Sequence, residues 1–179
     1  MKESLRSFYF LRAGVAYAWV VAVVAAHLEQ SPLAAAALAV YAGWDALANI
    51  IDVRRDPLPG DSNRQRNIAL SVAAAAVMAA GAVLGFKLAV VGFGAWALLA
   101  GILQLLVGLR RRSGAKGQVL MMLSGAQSAL AGIFFTRLGL VGSPKMADLY
   151  PYAAFGASYF LASGLWLVWS ERRTQSARI

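Results

Sequence analysis

The sequence predicts an all-α integral membrane protein with six transmembrane helices, and three observations lead there. The 179 residues are 60% hydrophobic and only 14% charged, whereas a soluble domain is about 45–50% apolar and ~25% charged. The apolar residues gather into six runs, Phe8–Ala26, Leu33–Val53, Ile68–Gly85, Leu88–Leu109, Val119–Thr136 and Tyr150–Ser170. Each is near the ~20 residues that a helix needs to cross about 30 Å of hydrocarbon. Alanine and leucine dominate the runs, which favours helix, and the alternating ten-residue segments of a membrane barrel are missing. In lipid the backbone must satisfy its own hydrogen bonds, and these runs do so as helices.

Each run has its own punctuation. The first follows Lys2 and Arg6 and ends in Val24-Ala25-Ala26, a profile shared with signal peptides. It is long enough to span, so it reads as a retained first helix. His27-Leu28-Glu29-Gln30-Ser31-Pro32 turns the chain into the second run. A polar, basic loop from Arg54 to Asn67 separates the second from the third. The third and fourth are joined by a very tight turn near Lys87. A second basic loop, Arg110–Gly117, precedes the fifth, and a longer connection from Arg137 to Leu149 precedes the sixth. No loop has room for a folded soluble domain, so residues 1–179 form one transmembrane domain.

Basic residues set the orientation. One side carries Lys2, Arg6, Arg12, Arg54, Arg55, Arg64, Arg66, Arg110, Arg111, Arg112, Lys116, Arg172, Arg173 and Arg178, fourteen of the seventeen Lys and Arg. The other carries only Lys87, Arg137 and Lys145. Short loops follow the positive-inside rule, so both termini are expected in the cytoplasm and the protein in a bacterial inner membrane. The net charge of +9 is spent in these patches. No aromatic side chains are interleaved with it along a polar surface, which argues against nucleic acid. With no cysteine, thiolate metal sites and thiol catalysis are excluded.

The helices carry signs of repetition. Aligning Asn49 with Gly101 and Gly164 also aligns Trp44 with Trp96 and Tyr159, and each helix then ends in a basic cluster. Phe86–Gly92 and Thr136–Gly142 also match, with Lys87 and Arg137 in the same place. The expected unit is a helical hairpin used three times in parallel, over residues 8–55, 66–112 and 117–173. It is not the inverted repeat of many transporters. This pattern resembles the HdeD-type acid-resistance membrane proteins, built from a short membrane repeat, over Phe8 to Arg173. Arg12-Ala13-Gly14 and Asp45 fit the arginine near a glycine and the acidic second-helix residue of that family. The later hairpins lack an acidic counterpart. The resemblance implies a contribution to acid or stress tolerance and points to no reaction.

Candidate chemistry is sparse. Asp45, Asn49 and Asp52 share one face of the second helix. An acidic residue at mid-membrane costs about 2.5–3.5 kcal/mol, so it turns inward, finds a partner and becomes a functional candidate. Arg12 is the expected partner, and Gln104, which aligns with Asp52, is the one echo in a later helix. The group either lines a polar path or forms a buried salt-bridged cluster that fixes helix register. The second is favoured, because the stripe does not continue into helices four or six. His27, the sole histidine, stands beside Glu29, where it either senses external acid or is an idle turn residue. Lys87 and Arg137 contact lipid or an anion, or simply snorkel to the interface.

No metal site, cofactor or catalytic triad is expected. The Gly92-Phe93-Gly94-Ala95-Trp96-Ala97 run mimics a dinucleotide fingerprint but lacks the strand that motif needs. Small residues are abundant: Gly14, Ala18, Ala22 and Ala26 in helix one, Gly81 and Gly85 in helix three, Gly94, Gly101 and Gly108 in helix four, and Ser124, Ser128 and Gly132 in helix five. Such grooves let helices approach closely in lipid, within the monomer or in a homo-oligomer. The expected function is that of a non-enzymatic membrane protein. The alternatives are a small channel or transporter using the Arg/Asp/Asn cluster, and an accessory subunit of a larger membrane complex.

Overall fold

The computed structural model describes residues 2–55, 62–111 and 118–176. They form six helices: α1 Lys2–Ala25, α2 Pro32–Arg55, α3 Ser62–Leu84, α4 Phe86–Arg111, α5 Gln118–Val141 and α6 Met146–Ser176. All six are long and apolar enough to cross a membrane. Large apolar side chains cover the outside, Val83 at 87% and Val141 at 77% exposure among them. In water that surface would be prohibitive, since soluble monomers keep exposed apolar patches to a few hundred Å². A lipid bilayer is its natural solvent, and the chain is a multi-pass membrane protein.

The turns show how local chemistry ends each span. α1 closes in a Schellman motif: the Leu28 N–H reaches the Val23 carbonyl at 3.4 Å and the His27 N–H reaches that of Val24 at 3.1 Å. His27 occupies the left-handed position, φ 48°, which glycine usually fills. Ser31 then caps α2, accepting the Ala34 N–H at 3.1 Å, and Pro32 opens the helix where its missing N–H costs nothing. α3 stops at Gly85, φ 117°, a backbone conformation that side-chain-bearing residues rarely adopt. A single residue therefore separates α3 from α4. At the start of α6 the Lys145 N–H donates to Asp148 Oδ2 at 2.7 Å, half of a capping box.

Neighbours in sequence run antiparallel, and so do α1 and α6, as Tyr17–Ser158 and the Tyr9–Phe160 ring pair locate. The basic helix ends therefore gather at one end of the bundle, with the start of α1 and the end of α6 together. The closest pairs are α4–α5, α2–α3, α1–α6 and α3–α4, while α1–α2 and α5–α6 touch sparingly. Only one of the three expected hairpins, α3–α4, is thus a closely packed pair. The matched segments Phe86–Gly92 and Thr136–Gly142 are not in equivalent places either. The first opens α4 and most of the second closes α5, because no breaker interrupts α5 before Gly142. The two lie side by side: a Cβ on Gly139 would stand 3.0 Å from the Lys87 carbonyl oxygen. Arg137 therefore sits within α5, not in a turn.

An aromatic core joins five of the helices. Phe93 of α4 lies 5.5–5.6 Å, centroid to centroid, from Trp96, Phe135 of α5 and Tyr152 of α6. Tyr41 of α2 meets Trp96 edge-on at 5.9 Å and Trp19 of α1 at 4.7 Å. Such pairs add about 0.5–1.5 kcal/mol each beyond area burial.

Candidate functional site: a carboxylate shared by four helices

Asp45 lies in the middle stretch of α2. Its Oδ1 is ion-paired to Arg12 of α1. Its Oδ2 accepts Asn49 Nδ2 at 2.9 Å and the Ser71 hydroxyl of α3 at 2.8 Å. Asn49 Nδ2 also donates to the Asp45 backbone carbonyl at 2.7 Å. Ser71 in turn accepts the Trp96 indole N–H of α4 at 3.0 Å. One carboxylate thus links α1, α2, α3 and α4. Ion-pair exposure is low, 13% for the Arg12 side chain and 18% for that of Asp45. The free face of the guanidinium lies over the Phe160 ring of α6 at 4.3 Å, a cation–π contact that desolvation strengthens.

Beside the pair is a void of about 30 Å³ lined by Arg12, Ala16, Tyr41, Trp44, Asp45, Trp96 and Phe160, room for about one water. The Tyr41 hydroxyl makes no hydrogen bond among the described residues, although Tyr41 is only 9% exposed.

The expected cluster divides. Arg12, Asp45 and Asn49 come together as read from the sequence. Asp52, seven residues on and about 10 Å along the helix, pairs instead with Arg64 at 3.4 Å at the basic end. Gln104 belongs elsewhere: its Nε2 donates to the Met121 carbonyl of α5 at 3.2 Å. Sequence reasoning missed Ser71, which is fully buried. Its signal was a lone hydroxyl in the alanine-rich run of α3, opposite Asp45 once α2 and α3 are laid antiparallel. Trp96 had stood out only as a repeated aromatic.

His27 and Glu29 are exposed and form no ion pair with each other among the described residues. The His27 ring sits 3.0 Å from the Ala25 carbonyl, and its place is explained by the α1 terminus. Lys87 and Arg137 are both exposed at the end opposite the basic cluster.

The small residues divide too. On α4, Gly94, Gly101 and Gly108 face α5, meeting there Gly132, Gly125 and Met122 respectively. On α5 the glycines Gly125, Gly132 and Gly139, seven apart, meet α4, and of the four-residue Ser124, Ser128, Gly132 series Ser128 and Gly132 meet it too. Ser128 Cβ lies 2.9 Å from where a Cβ on Gly101 would stand, and its hydroxyl accepts a hydrogen bond from Tyr152 of α6 at 3.0 Å. Gly81 lies against Ala89 of α4, but two expected packing glycines meet no other helix within the chain. Gly85 is the turn residue, and Gly14 has nothing within 4 Å of where its Cβ would be.

A polytopic helical bundle with a part-buried ion pair between its helices is the class these features define. Compared with known proteins, the chain matches no family model, and no curated protein or solved structure shows significant similarity to it.

Proposed function

We propose that the chain is a non-enzymatic protein of the bacterial inner membrane, with both termini cytoplasmic, that contributes to acid or stress tolerance as the HdeD-type proteins do. The Arg12–Asp45 group acts in it as a structural fastener. The observation that carries the fastener is the closure of the carboxylate: Arg12, Asn49 and Ser71 take up its oxygens, and the adjoining void has room for only about one water. The orientation is supported by the gathering of basic helix ends on one side. The tolerance role rests on the resemblance of the hairpin pattern, with Arg12-Ala13-Gly14 and Asp45.

The channel or transporter reading is favoured by one feature, the Tyr41 side chain lining that void, whose hydroxyl has no hydrogen bond among the described residues. Proton flux into proteoliposomes separates the two. The fastener predicts leakage equal to protein-free vesicles, unchanged by Asp45→Asn. Flux that appears with the wild type and vanishes with Asp45→Asn establishes transport. Self-association is favoured by the Gly14, Ala18, Ala22 and Ala26 stripe, exposed along α1.

A further inference from the structure

We infer that the groove between α3 and α4 is a binding site for one anionic phospholipid from the leaflet on the basic side of the bundle. The groove has a volume of about 230 Å³, several times the ~30 Å³ share of one water. It is an open groove, lined by the small residues Ala73, Ala74, Gly92 and Ala95 together with Leu70 and Val77. Nothing in its lining is charged, so the segment that fills it is a hydrocarbon chain.

Arg66 supplies the other half of the site. It lies on the same face of α3 as Leu70, Ala73 and Val77, at helical spacings of four, seven and eleven. It is one turn nearer the basic end. From Arg66 to Val77 is about 16 Å along the axis, close to half of the ~30 Å hydrocarbon thickness. The face therefore offers a cation at headgroup depth and an apolar trough reaching to mid-bilayer, the dimensions of one lipid in one leaflet. Arg66 is exposed and has no partner among the described residues, while Arg64 beside it is engaged by Asp52. A phosphate matches the guanidinium in charge and in bidentate geometry.

The test is native mass spectrometry of the full chain in neutral detergent, titrated with phosphatidylglycerol or phosphatidylcholine of identical acyl chains. The expected result is one retained phosphatidylglycerol per chain, held about fivefold more tightly than phosphatidylcholine, the preference that one cation near the surface confers. Arg66→Gln removes the preference and Arg54→Gln, at another exposed basic position, leaves it. Ala95→Leu or the exposed Ala73→Leu, each checked for an unchanged melting temperature, weakens retention of both lipids. The site is overturned by equal retention of the two lipids in the wild type, or by equal loss in Arg54→Gln and Arg66→Gln. A dimer that dissolves on Ala95→Leu also overturns it, since a second copy would then occupy the groove.

Discussion

Around Asp45, four helices are joined through polar atoms; between α4 and α5, two helices are joined by the lack of side chains. At the carboxylate, each partner is a donor at 2.8–2.9 Å or a guanidinium, and side chains fill the space between helices. Along α4–α5, Gly94, Gly101, Gly125 and Gly132 let one backbone lie on the other. A Cβ on Gly132 would stand 2.3 Å from the Leu98 nitrogen, and one on Gly101 2.5 Å from that of Ala129. Lipid offers no hydrophobic force between helices, so both devices substitute for it. They fail differently. The polar joint is vulnerable to loss of a partner, the glycine seam to gain of an atom.

The largest expected effect is at the polar joint. Asp45→Leu leaves the Arg12 guanidinium without its counter-charge, and arginine cannot shed its proton. Breaking a buried pair this way costs about 3–5 kcal/mol. Arg12→Leu is expected to cost less, because the carboxyl left behind can take up a proton and become neutral. The double variant Arg12→Leu/Asp45→Leu should recover most of the loss, since no buried charge remains. Unfolding in mixed micelles with increasing anionic detergent measures all three. Equal losses in the two single variants would show that the pair is too well solvated to distinguish them.

Next comes the seam. Gly132→Leu forces backbone against backbone and is expected to destabilise by about 3 kcal/mol, the upper part of the range for overpacking. The contrast is Gly14→Leu, which has open space around it and should stay within about 0.5 kcal/mol in a monomer. A large loss at Gly14 would place another subunit against α1. Thermal aggregation of the purified chain reports both.

The two regions were also unequally legible. The pairing of Arg12 with Asp45 followed from the sequence because a charge in hydrocarbon must find a partner, and the first two helices offer few choices. The seam was half visible: Gly94, Gly101 and Gly108 announced a face on α4. Its complement on α5 was read in part: Ser128 and Gly132 lie on it, but Gly125 and Gly139 were missed because Ser124, Ser128 and Gly132 offered a competing four-residue spacing. Choosing between them requires the antiparallel register, which depends on where α5 ends. Arg137 to Val141 prolongs that helix past its expected end at Thr136. Local composition likewise identified the spans, yet not which spans lie closest. Side-chain bulk decides that. Tyr152 and Tyr159 bridge α5 and α6 through Ser128 and Gln127 at 3.0 and 2.7 Å, holding the two helices together across the width of a ring, so this hairpin does not pack tightly.

The smallest effect tests whether shape alone holds the seam. Gln104 to the Met121 carbonyl is the only side-chain hydrogen bond between α4 and α5 among the described residues, and at 3.2 Å it is a long one. Interhelical hydrogen bonds in membranes average about 0.6 kcal/mol. Met121's carbonyl also lies within α5, where the backbone ladder supplies another donor. Gln104→Leu is therefore expected to cost no more than about 0.6 kcal/mol. Ser71→Ala removes a single oxygen at the polar joint but strips two neighbours at once, the Asp45 carboxylate and the Trp96 indole. It should cost about 1–3 kcal/mol, as an unsatisfied buried group does. Measured side by side in the same micelles, a larger loss for Gln104→Leu than for Ser71→Ala would mean that polar contacts govern the seam as well, and the distinction between the two halves would fall.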